Sequence, residues 1–246
     1  MARNARQVLG RPRLFFGLVS DLPFSLHPGP AVQLASALDR ERKIDRAFEA
    51  LGPVAARDVV VIGGGPGEIA RLTAAGARLT NVGGLLGDDA RALPNESVDT
   101  IVSAWSGFRG VAAAELAAAD RLLRPEGRLL VVHDYGRDDV SQLRGALPEY
   151  GAWSRRNGPF MTNGFRVRVL HCFWTFDTLP DARAFLGEVF GADGVAFGDA
   201  MRRPRLSYNV AIYHRTRGGA TTADADDDAA DRAADGVAPG TGIDAS

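Results

Sequence analysis

Apolar and polar positions along this chain change period several times. Val59-Val60-Val61-Ile62, Thr100-Ile101-Val102-Ser103-Ala104 and Leu129-Leu130-Val131-Val132 are short apolar runs bounded by turn residues. Runs of this length predict strands near 58–62, 100–104 and 128–133, with another near 78–82. Helical spacing predicts helices near 67–75, 111–123 and 138–147. Ahead of the first strand, Leu34, Leu38, Ile44, Phe48 and Leu51 share one helical face over 31–51, and Gly52-Pro53 ends that helix. Past Pro148 the pattern changes. Residues 163–176 read as a long strand or bent ribbon, and 180–190 as a helix with Thr178 at its N-cap. Residues 206–214 read as a last strand in which Tyr208, Val210 and Ile212 alternate. Strand and helix in alternation predict an α/β fold, with a mostly parallel sheet and helices on both faces.

The two ends differ from this core. Residues 1–30 are irregular, punctuated by Pro12, Pro23, Pro28 and Pro30, with Phe15, Phe16, Leu18 and Phe24 expected to bury against the main domain. From Thr216 the composition collapses to Gly, Ala, Asp and Thr around Asp224-Ala225-Asp226-Asp227-Asp228. Such a segment lacks the apolar surface that would offset its ordering entropy. The expected organisation is an N-terminal irregular segment and cover helix over 1–54, a core domain over 55–215 and a disordered, solubilising acidic tail over 216–246.

Composition narrows the function classes. The 246 residues carry a net charge of −1 with no basic block, which argues against a nucleic-acid binder relying on phosphate contacts. Lys43 is the only lysine. Cys172 is the single cysteine, flanked by Phe173 and Trp174, which predicts a buried inert thiol and fits a reducing compartment. No stretch approaches the roughly 18 apolar residues of a membrane span. Arg3, Arg6, Arg11 and Arg13 precede no clean apolar core of a signal peptide, so a cytoplasmic location is expected. His27, His171 and His214 share no metal-ligand spacing with one another or with Cys172, and no GxSxG nucleophile elbow occurs.

The candidate chemistry begins where the first strand stops. Gly63-Gly64-Gly65-Pro66-Gly67 follows Ile62 directly, and Glu68-Ile69-Ala70-Arg71-Leu72 continues with helical character. Strand, glycine loop and helix let backbone approach a nucleotide-like ligand at the carboxyl edge of a sheet. Gly63, Gly65 and Gly67 form GxGxG. A dinucleotide fingerprint wants GxGxxG/A and an acid roughly 20 residues on. Glu68 stands where that small residue belongs, which disfavours a flavin or nicotinamide oxidoreductase.

Three further segments follow in order. Asp88-Asp89-Ala90 leads to Leu93-Pro94, Ser97-Val98-Asp99 leads into the third strand, and Leu123-Arg124-Pro125-Glu126-Gly127-Arg128 leads into the fourth. With the GxGxG loop, this order resembles the class I S-adenosylmethionine-dependent methyltransferases, of the type 11 kind, closely over about 55–135 and loosely to about 214. The resemblance implies a Rossmann-like, doubly wound sheet ending in an antiparallel strand. It also implies S-adenosylmethionine as cofactor and a small-molecule acceptor. Carried over residue by residue, it implies cofactor contacts from Gly63, Gly65, Gly67, Asp89, Ala90, Ala104 and Trp105. Asp89 would accept from the adenine amine beside the Ala90 amide; the other reading is a solvated turn acid. Trp105 would wall the sulfonium by cation–π contact or simply pack.

His133 ends the fourth strand with Asp134 and Tyr135, and is the candidate general base, its alternative being a structural histidine bonded to backbone. Tyr150, Trp153, Phe160, Phe165, Phe173, Trp174 and Phe176 form either an acceptor pocket or a core under a long loop, with Arg155 and Arg156 beside them. Two positions depart from the family. Val61 replaces the acid two residues before the first glycine, and Arg78-Leu79-Thr80-Asn81-Val82 runs into Gly83-Gly84 without the acid that clamps the ribose. The short stretch from Gly67 to Asp89 leaves room for one βα unit fewer. These departures favour the alternative reading, a degenerate methyltransferase fold acting as a binding or scaffolding module. Asn81 and Asp88 are the residues placed to compensate.

Overall fold

The computed structural model describes residues 22–106, 108, 111–145, 147 and 151–217. Strands β1 (Asp58–Ile62), β2 (Arg78–Val82), β3 (Val98–Ala104), β4 (Leu123–Asp134), β5 (Arg166–Thr175) and β6 (Arg205–Thr216) form one sheet in the order β2-β1-β3-β4-β6-β5. The pairs β1–β2, β1–β3 and β3–β4 are parallel, while β6 runs antiparallel to both β4 and β5. This is the doubly wound, mostly parallel sheet with a terminal antiparallel strand that the residue pattern and the resemblance predict. As the short span after the glycine loop implies, a single strand, β2, stands outside β1 and forms that edge of the sheet.

Alternation along the strands builds two cores, one per sheet face. Val61, Val102, Val132, Trp174 and Tyr208 face one side with Leu34, Phe48 and Phe185 from helices α1 (Pro28–Ala37), α2 (Lys43–Leu51) and α8 (Leu179–Ala200). Val60, Ile62, Ile101, Val131 and Tyr213 face the other, against Leu122 of α5 (Ala113–Leu122) and Phe160 of α7 (Pro159–Thr162). Helices α3 (Pro66–Ala74), α4 (Asp88–Arg91) and α6 (Asp139–Leu143) stand at the carboxyl ends of β1, β2 and β4. Trp174 is fully buried at the centre of the first core, where truncation to Ala costs about 3–5 kcal/mol.

Several elements differ from the expectations. The helix over 31–51 is two helices, because Leu38 turns extended to bridge Trp174, and Asp39 and Arg42 take φ of 49° and 55°. The Asp39 carboxylate then accepts the Lys43 and Ile44 amides at 3.1 and 2.7 Å and starts α2. Helix α6 is shorter than 138–147, opened by a reciprocal capping box between Asp138 and Ser141. Helix α8 begins behind the Thr178 cap as expected but passes 190, broken at Gly191 (φ 60°) and resumed to Ala200. Strand β6 continues through Thr216, and the Arg217 amide bonds the Gly127 carbonyl at 2.8 Å, two residues into the segment expected to be tail. Leu22, Phe24 and Leu26 pack on the first core. Phe15, Phe16 and Leu18, with the rest of 1–21, lie outside the described residues, as do Tyr150 and 218–246.

Candidate functional site

The carboxyl ends of β1, β2, β3 and β4 bring four loops to one edge of the sheet, where open α/β sheets place ligands. The glycine loop comes first. Gly63 takes φ 62°, a left-handed conformation suited to glycine, and its amide bonds the Val82 carbonyl at 2.8 Å. At Gly64, a Cβ would stand 2.3 Å from Val61 Cγ1, so its smallness is a packing requirement of the loop itself. Gly65 is the N-cap of α3 and Pro66 its first residue, which sets the positive end of the helix dipole at the sheet edge.

Asn81 holds this loop. Its register partner across the parallel ladder is Val61, so its side chain emerges beside the turn. Its Oδ1 accepts the Gly64 amide at 3.1 Å and its Nδ2 donates to the Gly64 carbonyl at 3.2 Å. Val61 is fully buried in the first core. Glu68 is buried in the first turn of α3, 3.9 Å from Arg71, which pairs with Asp45 at 2.6 Å.

The loop after β2 is organised by Asp89. Its Oδ2 accepts the Gly83 amide and its Oδ1 accepts the Ala90 amide, each at 2.8 Å. These amides hold its carboxyl below the usual carboxylate range. A Cβ on Gly87 would lie 2.6 Å from Asp89 Oδ1. Asp89 is therefore the tie of its own turn, with the outer lone pairs of both oxygens remaining. Ala90 is buried beneath it.

Trp105 carries the least expected geometry. It follows the buried Ala104 at the end of β3 and adopts φ 47°, which is rare for a bulky residue. Its amide bonds the Val132 carbonyl at 3.0 Å. Its indole N–H lies 3.1 Å from both Asp134 Oδ1 and the Tyr208 hydroxyl. Tyr208 donates to Asp134, and Arg144 pairs with the other Asp134 oxygen beneath the Phe24 ring, 4.8 Å from its centroid. Burial, reinforced by the Asp134 charge, raises the Tyr208 pKa well above its ordinary value. The network holds Trp105 in a conformation that its backbone alone would not favour.

His133 sits on the other face. It is buried, its Nε2 3.3 Å from the Phe108 carbonyl oxygen, and its ring meets Trp153 edge-on at 5.2 Å. That is the backbone-bonded arrangement. The aromatic residues also divide: Phe160 and Phe165 belong to the second core and Trp174 and Phe176 to the first, so they form no single acceptor pocket. Arg155 and Arg156 are exposed beside Trp153. Cys172 is buried, its thiol pushed up to about 12 mainly by desolvation. Among the described residues, no group of three His, Cys, Asp or Glu could hold a metal, and no helix is long and apolar enough to cross a membrane.

No family model matches this chain, and no curated protein matches it. Solved structures are similar in fold. A protein described as a type II methyltransferase from Anaeromyxobacter dehalogenans is 17% identical, with a TM-score of 0.44 over 72% of this chain and 96% of its own. One described as a methyltransferase of an antibiotic biosynthesis pathway from Anabaena variabilis is 14% identical, with a TM-score of 0.44 over 74% of this chain and 99% of its own. Geranyl diphosphate C-methyltransferase from Streptomyces coelicolor, in complex with S-adenosyl-L-homocysteine, is 17% identical, with a TM-score of 0.41 over 71% of this chain and 76% of its own.

Two features of the edge go beyond the sequence reading, which named Asn81 as a compensating residue without its contact to Gly64. The Asn81 clamp had a usable signal, since a polar residue near the end of β2 lies level with the residues before the glycine turn. The Trp105–Asp134–Tyr208–Arg144 network had none, because its members are scattered over the chain and meet only through the β3–β4 and β4–β6 pairings and the end of α6.

Proposed function

We propose that this protein binds S-adenosylmethionine at the carboxyl edge of the sheet and moves its methyl group to a small-molecule acceptor. The observation that carries the reading is the convergence there of the Gly63–Gly65 turn, the Asp89–Ala90 turn and the anchored Trp105. The α3 N-terminus suits the carboxylate of the cofactor's amino-acid end. The outer lone pairs of Asp89 suit an adenine amine. The cofactor supplies the electrophilic methyl group. The chain's own part is to orient acceptor and donor in line and to exclude water. No general base is assigned, since the His133 nitrogen facing Phe108 is engaged within the fold. We place the protein in the cytoplasm and the family nearest the type 11 kind.

The fit is partial at the ribose. Asn81 is committed to Gly64, Asp88 is almost fully exposed beside Arg91, and Val61 lies in the core. A charge-assisted hydrogen bond contributes roughly 1.5–3 kcal/mol. The missing clamp therefore lowers cofactor affinity by one or two powers of ten. These three residues also favour the second reading, a fold of this type that binds or scaffolds without catalysis. Melting curves separate the possibilities. S-adenosylhomocysteine at millimolar concentration raises the melting temperature by mass action even for an affinity of roughly 100 μM, and NAD and FAD leave it unchanged. A shift with NAD or FAD alone rejects the methyltransferase-type site. A shift with S-adenosylhomocysteine but no transfer to any offered acceptor supports the binding module.

A further inference from the structure

The turn from α8 into β6 reads Arg202-Arg203-Pro204-Arg205. The Pro204 carbonyl accepts the Phe176 amide at 2.8 Å, and Arg205 opens β6 opposite Thr175 of β5. Because β6 is antiparallel to β4 and Val210 is level with Asp134, its first residues project past the end of β4. The turn therefore stands at the carboxyl edge of the parallel strands. Three strand spacings of roughly 4.8 Å separate β6 from β1, which keeps this place apart from the glycine loop.

A cavity of about 360 Å³ opens here. Phe173, Phe197 and Met201 give it an apolar wall, and Arg202, Arg203 and Arg205 give it a cationic rim. The Arg205 guanidinium carbon lies 3.8 Å from the Phe173 ring centroid. Asp139 also lines the cavity, its Oδ2 accepting both the amide and the hydroxyl of Ser207 at 2.8 Å, and the three arginines outnumber its single charge. Lys43, 5.3 Å from the Phe173 centroid, is neutralised by Glu41 at 2.7 Å. Among the described residues, no carboxylate lies within ion-pair distance of the three arginines, although Arg205 is near enough to Glu41 to help Lys43 lower its pKa. Three guanidiniums lining one cavity give it a positive potential that favours an anion there. Guanidinium rim and aromatic wall together match one kind of ligand, an anionic group on an apolar body.

We propose that this cavity binds a small molecule carrying a phosphate or carboxylate on an apolar body. The site stands on its own residues and does not depend on methyl transfer. The test is calorimetric titration of the full chain with octyl phosphate below its micellar concentration, beside inorganic phosphate and octanol. Octyl phosphate binds saturably, each half alone binds at least tenfold more weakly, and added salt weakens the complex. The double variant Arg203→Gln/Arg205→Gln loses at least tenfold in affinity, while its melting temperature stays near the parent's because both side chains are exposed. Phe197→Ala weakens octyl phosphate more than it weakens inorganic phosphate. Equal affinity in the double variant overturns the proposal. So does octanol or inorganic phosphate binding as tightly as octyl phosphate, since either result leaves only an apolar dent or a bare charge patch. If the double variant melts early, Arg202→Gln alone decides by the same comparison.

Discussion

Asn81 commits both halves of its amide to Gly64, and in doing so does for the glycine loop what an acidic residue at position 61 cannot do from inside a packed core. The sequence showed the absence at Val61 plainly. It named Asn81 with Asp88 as residues to compensate but not the contact with Gly64, because that contact depends on strand register rather than on spacing along the chain. Trp105 is similar: its place at the end of β3 was legible, its left-handed backbone was not, since nothing local favours it. What favours it is the hydrogen-bonded group of Asp134, Tyr208 and Arg144. Tyr208→Phe keeps the ring and removes the hydroxyl that donates to Asp134 and lies beside the Trp105 indole. It leaves a partly buried carboxylate short of one donor, so urea unfolding should show a loss of about 1–3 kcal/mol. An unchanged midpoint would mean that the hydroxyl contributes nothing net to the network.

At the level of elements, the strands were legible because each is a short run with turn residues at both ends. The helices were less so. Residues 31–51 carry one continuous apolar stripe, yet the chain breaks at Leu38 to reach Trp174, a tertiary contact that overrides periodicity. Asp39 makes the break workable by accepting the first two amides of α2. Asp39→Ala removes that cap and should cost about 1 kcal/mol, with Asp39→Asn recovering part of it. Chemical denaturation of the three proteins checks this. Equal stability of all three would show that α2 is held by its buried face alone. The helix expected over 180–190 stops where Gly191 breaks α8; what the pattern did not show is that the helix resumes beyond it to Ala200.

For the molecule as a whole, pH exposes how the sheet's buried and paired charges contribute to stability. Burial, and then the guanidiniums of Arg128, Arg166 and Arg168, lower the His214 pKa to about 4 from an ordinary 6.5. Between those values the unfolded chain takes up a proton that the folded chain refuses. Stability therefore falls as pH drops from 6.5 toward 4 and is unaffected by this group above that window. Discounted for partial exposure, the loss is about 1–2 kcal/mol. Asp58, lowered to about 2 by hydrogen bonds from Arg78 and Arg124, loses its contribution only below its ordinary 3.8, outside the His214 window. Asp138, raised by burial, acts in the opposite sense, so the variant comparison is what isolates the histidine. Urea midpoints at pH 7, 5.5 and 4.5 should fall less steeply for His214→Gln than for the parent. Identical slopes would remove His214 from the account.

The most direct measurement of the central claim is calorimetric titration of S-adenosylhomocysteine into the full chain and into Gly63→Val and Asp89→Asn. The parent should give saturable one-site binding. Gly63→Val places a branched side chain at φ 62° beside Ser106 and should abolish the heat. Asp89→Asn can keep only one of the two backbone bonds that tie its turn, so it should melt a few degrees lower and bind roughly tenfold more weakly. No heat with the folded parent, or an Asp89→Asn variant that binds as tightly as the parent, would contradict the placement of the cofactor at this edge.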